Sequence, residues 1–339
     1  MKCVTIRYLT SLDLDSFIEV ARTVPYQRIN SDLFPGVEVW IRRDDLLDPL
    51  ISGNKAYKLL FNLLEAREQG ADTLITCGGA WSNHLHATAA AGARFGFRTI
   101  GIVRGERPQV LSATLQDAER FGMQLKFVSR DLYRERSQPA FLDLVGLEAA
   151  NSIFIPEGGA NFAGAKGVRL LGELIESTLP ISFDQLWVAC GTGLTMGGLS
   201  SSIHSFPVCG VEVLKAGESI RRDARHWHAA LKKFPRPPDL GQEWQRTSSD
   251  TDEAPSAATG IKLVNEYHCG GYAKYPTYLR EFQRSFERQS GIPLDPVYTA
   301  KLMFAVSKEV AAGRISPGTR MLTLHSGGLQ GRRGFQLIK

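Results

Sequence analysis

The sequence predicts an α/β protein of two domains, each a mainly parallel, twisted sheet flanked by helices. Three observations predict it. Short apolar strands alternate with segments of helical periodicity along most of the chain, the signature of βαβ units. At 339 residues, the chain is longer than a single hydrophobic core usually organises. No apolar run approaches the roughly 20 residues needed to span a bilayer, so a membrane architecture is not expected.

The elements follow in order. After a lead-in, Val37–Arg42 alternates as a half-buried strand does. Ser52-Gly53-Asn54 is a small polar turn, and Tyr57, Leu59, Leu60, Leu63, Leu64 and Ala66 keep helical spacing up to Gly70. Thr73–Cys77 is a strand broken by Gly78-Gly79. Ser82 or Asn83 can cap the helix through Ala87–Phe95, and Thr99–Val103 is the next strand. Gln109–Phe121 reads as a helix, Gln124–Val128 as a strand, and Leu142–Leu147 as a helix or its edge. Ile153–Ile155 ends at Pro156, and the loop Glu157–Asn161 leads to a helix through Gly167–Leu179. Gln185–Cys190 and Val208–Leu214 are buried strands, the first followed by a glycine-rich turn and a helix. From about 235 to 259 periodicity vanishes among Pro, Ser and Asp, which reads as a mobile surface excursion. The pattern resumes at Ile261–Glu266, with helices at Tyr278–Gln289 and Thr299–Ala312 and a last strand, Arg320–Leu324.

Charge and cysteine usage exclude several classes. The net charge of +5 is mild, and basic residues are interspersed with acids rather than arranged in a stripe with aromatics, so no nucleic-acid partner is expected. The five cysteines (Cys3, Cys77, Cys190, Cys209 and Cys269) are scattered, odd in number and without metal-ligand spacing. They imply no disulfide framework, no metal and a reducing, cytoplasmic location. Residues 1–15 mix charges among apolar residues and show no signal-peptide core.

Five stretches carry candidate chemistry. Lys55 falls in the first turn of its helix, where the dipole and burial together lower an amine's pKa and favour a nucleophilic lysine. The alternative is an ordinary exposed lysine. Gly191-Thr192-Gly193-Leu194-Thr195 turns from a buried strand into a helix, offering backbone N–H groups as an anion cup suited to phosphate. It lacks a P-loop lysine and the full spacing of a dinucleotide fingerprint. Gly78–His84 is a second such turn: its helix start suits a substrate carboxylate, and Asn83 a phenolic oxygen, the alternative being a plain N-cap by Ser82 or Asn83. His84 and His86 face different sides and make a poor metal pair. Asp295–Lys301 places Tyr298 after a proline-set turn, and His325-Ser326-Gly327-Gly328 brings a hydroxyl either to a helix cap or to a ring nitrogen.

In that order, the motifs Ser-Gly-Asn-Lys-x-x-Lys-Leu, Gly-Gly-x-x-Ser-Asn-His, Gly-Thr-Gly-x-Thr, Asp-Pro-Val-Tyr-x-x-Lys and His-Ser-Gly-Gly resemble the pyridoxal-phosphate family of 1-aminocyclopropane-1-carboxylate deaminase and D-cysteine desulfhydrase. The resemblance runs from about Ile41 to Gly331. It implies the tryptophan-synthase β fold (fold type II), with a larger cofactor-binding domain from residues 1–55 and 151–339 and a smaller one from 56–150. It implies pyridoxal 5'-phosphate held covalently by Lys55, with Asn54, Lys58, Asn83, Gly191, Thr192, Gly193, Leu194, Thr195, Thr299 and Ser326 around it. Ser82, Tyr272 and Tyr298 match residues beside the substrate, a small amino acid. A homodimer is the expected assembly.

Two departures shape the expected activity. The deaminases of this family carry a glutamate at the pyridine nitrogen immediately after the tyrosine, where this chain has Thr299. A hydroxyl makes the ring a weaker electron sink. That favours expulsion of a good β-leaving group over opening of a cyclopropane that has no α-hydrogen. Trp81, in a position near the substrate, leaves substrate size open. The expected reaction is therefore α,β-elimination, D-cysteine giving pyruvate, sulfide and ammonia. Deamination of 1-aminocyclopropane-1-carboxylate to 2-oxobutanoate is the runner-up, and a non-catalytic phosphate-ligand binder the alternative from another class.

Overall fold

A computed structural model describes residues 7–147, 150–234 and 261–335. Two sheets divide the strands. In chain order the first elements are α1 (Leu14–Arg22), β1 (Tyr26–Ile29), β2 (Glu38–Arg42) and α2 (Asn54–Glu68). Next come β3 (Thr73–Gly78), α3 (Asn83–Phe95), β4 (Arg98–Arg104), α4 (Ala113–Arg120) and β5 (Gln124–Val128). Short helices α5 (Arg130–Arg134) and α6 (Phe141–Leu144) precede β6 (Ser152–Ile155) and the long α7 (Phe162–Thr178). The remainder is β7 (Gln185–Cys190), α8 (Leu194–Ser200), β8 (Val208–Glu212), α9 (Glu218–Lys232), β9 (Lys262–Val264), α10 (Thr277–Ser290), α11 (Thr299–Ala311) and β10 (Arg320–Leu324).

Strands β5-β4-β3-β6 form a four-stranded sheet, parallel throughout. The other sheet has the order β1-β2-β10-β7-β8-β9, parallel except for the β1–β2 edge pair. In parallel sheets ligands bind beyond the carboxyl ends of the strands. Here both sets of ends open on one cleft. Gly79 after β3, Arg104 closing β4, Pro156 after β6, Gly191 after β7, Leu214 after β8 and Ser326 just beyond β10 all line the same cavity.

Helix α2 is fixed from two sides. A methyl on Gly167 of α7 would fall inside the Tyr57 carbonyl, so the two helices meet backbone to backbone. Lys166–Glu65 at 2.5 Å and the Asn62–Asn161 amide pair flank that contact. Beneath the first turn, Tyr57 donates to Asp44 at 2.8 Å, and Asp44 pairs with the fully buried Arg42. Burial raises the Asp44 carboxyl, and the Arg42 guanidinium opposes that rise.

The structure adds elements that periodicity did not reveal: α1, the antiparallel β1, α5 and α9. It also starts α7 at Phe162, capped by Asn161, five residues earlier than expected, and starts α4 at Ala113 behind a Ser112 cap. Cys77, Cys190, Cys209 and Cys269 are free and buried; Cys3 and the 235–259 excursion lie outside the described residues. Among the described residues no helix is long and apolar enough to cross a membrane.

Candidate active site

Lys55 enters the cleft from the second residue of α2. The turn before it is held by Gly53 at φ +65°, where a side chain would collide with the Ser326 carbonyl. Positive φ and contact on that face together restrict the position to glycine. The α2 amino terminus is thereby pressed onto the loop after β10. Asn54 then bridges two parts of the site: its Nδ2 donates to Thr195 Oγ1 at 3.0 Å, and its Oδ1 accepts from Lys55 Nζ at 3.3 Å. Burial lowers the Lys55 amine to about 8, with partial opposition from the Asp295 carboxylate. An amine so placed is uncharged in a substantial fraction near neutral pH, which nucleophilic attack on an aldehyde requires.

The glycine cup follows β7. Gly193 caps α8 in a left-handed conformation at φ +71°, and it packs so closely on α9 that a methyl would lie 2.5 Å from the Ile220 carbonyl. Gly191, Thr192, Gly193 and Thr195 face the cavity. Leu194 is fully buried and contributes only backbone. Lys58, one turn after Lys55 and 2% exposed, lines the same wall. Burial first, and then the Lys55 charge, push its amine well below the ordinary lysine range.

On the opposite wall Ser82 caps α3, accepting from the Leu85 N–H at 3.2 Å. Asn83 Oδ1 accepts from Gln330 Nε2 at 2.8 Å, and its amide lies against Gly328. His84 is 1% exposed, faces the cavity, and has no partner for either ring nitrogen. Burial, reinforced by Lys55 and Lys58, holds it neutral. His86 points elsewhere, to Asp117 at 3.4 Å.

Tyr298 lines the cavity with its ring edge 3.4 Å from where a Gly191 methyl would stand, and Tyr272 faces it from the Gly270-Gly271 loop. Burial raises both phenols, so both keep their protons. Lys301 fastens the Tyr272 loop by donating to Gly271 O at 2.7 Å and to Val213 O at 2.9 Å. Ser326 lines the cavity next to His325, whose Nε2 reaches Pro293 O at 2.8 Å while Nδ1 accepts from the Gly327 N–H.

Two expected positions fall elsewhere. Thr299 is fully buried and does not line the cavity. Its hydroxyl and N–H both donate to Asp295 Oδ1 at 2.8 Å, because a carboxylate four residues earlier is the nearest strong acceptor at this helix start. Trp81 likewise turns from the cleft to pack on Phe335 at 6.0 Å, under Gly334. The sequence reading missed four groups: His84 as a cavity residue, Asp295 as the carboxylate that acts on Lys55, Arg104, and the Arg136–Glu157 pair at 2.7 Å. Asp295 and His84 carried a signal, Asp295 standing three residues before Tyr298 in one motif and His84 closing another.

The cavity these residues enclose is about 1190 Å³. A model of the pyridoxal-phosphate dependent enzymes matches residues 19–327. The chain belongs to that family. The mitochondrial bifunctional D-cysteine desulfhydrase/1-aminocyclopropane-1-carboxylate deaminase of Arabidopsis thaliana is 28% identical, over 96% of this chain and 80% of the relative. The crystal structure of an ACC deaminase homologue superposes with a TM-score of 0.73 at 27% identity, covering 93% of this chain and 92% of the other. That of O-ureido-L-serine synthase reaches 0.64 at 15% identity, with 95% and 93% covered, and shares the fold. The chain is thus a fold type II enzyme, and its relatives place it among the elimination lyases.

The residues present fit pyridoxal 5'-phosphate on their own evidence. Lys58 is a buried amine with no ion pair or hydrogen bond among the described residues, its charged form disfavoured by burial, and His84 has two orphaned ring nitrogens beside it. Buried groups of this kind are costly unless partnered. A phosphate in the Gly191–Thr195 cup would give Lys58 its counter-charge, Lys55 would hold the aldehyde carbon, and Asn83 and Ser326 would flank the ring. The cofactor supplies an electron sink that acidifies the substrate's α-hydrogen.

Proposed function

We propose that the enzyme acts on D-cysteine, giving pyruvate, sulfide and ammonia, with the residues above in the roles that follow. Ser82 and the α3 amino terminus receive the substrate carboxylate. Lys55 takes the α-proton, and Tyr298 and Tyr272, both protonated, stand ready to donate. The net change consumes one water: the Cβ–S bond breaks, sulfur leaves with the electron pair, and the nitrogen is released as ammonia.

One observation carries the choice of elimination over ring opening. At the position where the family's deaminases carry a glutamate, Thr299 is turned to Asp295, and the neutral Ser326 is among the residues that line the cavity. A neutral contact at the ring nitrogen supports a weak sink, sufficient where an α-proton and a thiolate depart. The two sheets also support a division into domains of residues 1–55 with 151–339 and of 56–150, with the cofactor between them. Free cysteines among the described residues support a reducing, cytoplasmic location, and a homodimer is the assembly we expect.

The test uses purified protein loaded with pyridoxal 5'-phosphate. Borohydride reduction followed by peptide mass spectrometry should place the label on Lys55. A panel of D- and L-amino acids with 1-aminocyclopropane-1-carboxylate, scored for sulfide, pyruvate and 2-oxobutanoate, should give the highest kcat/KM with D-cysteine. Faster 2-oxobutanoate release would select the deaminase activity named for the plant relative. An unlabelled lysine would leave only a phosphate-ligand binder.

A further inference from the structure

The cavity is larger than the roughly 300–1,000 Å³ that commonly encloses a drug-sized ligand, and its charges do not cancel once the site is filled. Five basic residues line it: Lys55, Lys58, Arg104, Arg136 and Lys215. Lys58 faces the phosphate cup, and Lys55 works as a neutral amine. Arg136 is paired with Glu157 at 2.7 Å. Lys215, exposed as Arg104 is, stands in the loop after β8 and packs its stem on Gly271 rather than toward Gly79. Of the two acids lining the cavity, Glu157 is thus taken, and Asp223 lies 3.2 Å from Arg222. Arg104 remains. It closes β4 at the carboxyl end, is exposed, and makes no ion pair or hydrogen bond among the described residues; the Tyr133 ring lies at 5.9 Å and its charge acts on the Tyr272 phenol.

Its direction is defined by Gly79. A methyl built there would stand 3.8 Å from Arg104 Nη2 and 3.8 Å from Tyr272 Oη. Gly79 opens the turn into α3, and Ser82 of that turn is the group assigned to the substrate carboxylate. The guanidinium and the phenol therefore converge over the substrate end of the cleft, on the opposite side from the glycine cup. A guanidinium stays charged at any working pH and is suited to a localised anion.

We propose that Arg104 binds the substrate's β-substituent and stabilises it as it leaves with negative charge. This deepens the elimination reading and rests on it. In the step concerned the Cβ–S bond breaks, both electrons go to sulfur, and the thiolate takes a proton to leave as hydrogen sulfide. The α-proton has gone to Lys55. Opening a cyclopropane releases no separate anion and gives Arg104 nothing to hold. Preorganised donors aimed at charge that develops in the transition state are worth about 10²–10³ in rate where water is excluded, a condition that the exposed Arg104 meets only with substrate filling the cleft.

Arg104→Met in the loaded enzyme tests the assignment. For D-cysteine, kcat/KM should fall about 10²-fold, against less than about threefold for β-chloro-D-alanine, since chloride is a weak base that leaves without help. Arg104→Lys should recover part of the loss. A binding readout stands beside activity: cofactor absorbance titrated with D-aspartate, whose β-carboxylate is retained, and with D-alanine. Arg104→Met should weaken D-aspartate and leave D-alanine unchanged. Equal losses on both elimination substrates, or unchanged D-aspartate binding, would overturn the proposal. If wild type instead turned over neither elimination substrate while the D-aspartate preference held, the elimination reading would fail and the anion site at Arg104 would stand.

Discussion

Replacing Lys58 with methionine separates what this residue does for the cofactor from what it does for the fold. The side chain is 2% exposed, runs beneath Gly159 with its Cβ only 3.1 Å from where a methyl there would stand, and faces the glycine cup. Without an anion, burial first and then the neighbouring Lys55 disfavour its charged form, so the apoprotein gains nothing from a cation here. With a phosphate in the cup it gains a charge-assisted hydrogen bond of about 1.5–3 kcal/mol. Methionine keeps the length and loses the charge, so cofactor affinity should drop about 10- to 150-fold. The apoprotein should be as stable as before or more so. Titration in a Lys55→Ala background removes the covalent contribution, and parallel titration with pyridoxal, which has no phosphate, isolates the charge. Pyridoxal affinity should barely change. Equal weakening of both ligands, or an apoprotein that unfolds at lower temperature, would refute the assignment of Lys58 to the phosphate.

Three further predictions follow from the same geometry. Lys55 is lowered to about 8 by burial, so the rate at which apoprotein captures pyridoxal phosphate should rise with pH and level off above that value, followed by stopped-flow absorbance. The unfolded lysine titrates near 10.4, so between the two values the unfolded chain binds more protons and apoprotein stability should rise with pH; Lys55→Met should reduce that slope, and Lys58, lowered well below the ordinary range, and Lys301, lowered to about 8, should supply what remains. Thr299→Val removes a hydroxyl donor from the buried Asp295 carboxylate and should cost about 1–3 kcal/mol in urea unfolding, Thr299→Ser much less. Thr299→Glu sets a carboxylate where the family's deaminases carry one and should raise 2-oxobutanoate formation relative to pyruvate; unchanged relative rates would contradict the electron-sink argument. Gly53→Ala forces a side chain into the Ser326 carbonyl at positive φ and should lower the cofactor-loaded fraction sharply, measured as absorbance per subunit.

The strands were legible because parallel strands buried on both faces read as continuous apolar runs, as Gln185–Cys190 and Thr73–Gly78 do. Helix α9 was not. Only Ile220, Ala224 and Leu231 are buried along its fifteen residues, a stripe too narrow to stand out among its charges. The start of α7 was hidden for the opposite reason: Ala163, Gly164, Ala165 and Gly167 are small because another backbone passes close by, and small residues give no apolar period. Lys55 was singled out from its place in a helix, yet its low pKa comes from burial, which sequence spacing does not contain. Thr299 illustrates the same limit. Its neighbour in the chain named the position, but Asp295 four residues earlier decides which way its hydroxyl points.

The motifs are more informative as an ordered set than singly because they touch. A methyl on Gly53 of the first would strike Ser326 of the last, one on Gly328 would strike Asn83 of the second and approach Asp295 of the fourth, and one on Gly191 of the third would meet Tyr298. Asn54 completes the circuit by its hydrogen bond to Thr195. Each stretch thus supplies a group that faces the cavity and a small or polar residue that seats another stretch. A glycine-rich turn serving only as a βα connection would have no reason to meet four others, far apart in the chain, around one lysine. The same closeness explains why Arg104 stands apart. It belongs to none of the five motifs, its neighbours over Gly79 leave it room, and it can vary with the leaving group while the cofactor's seat stays fixed.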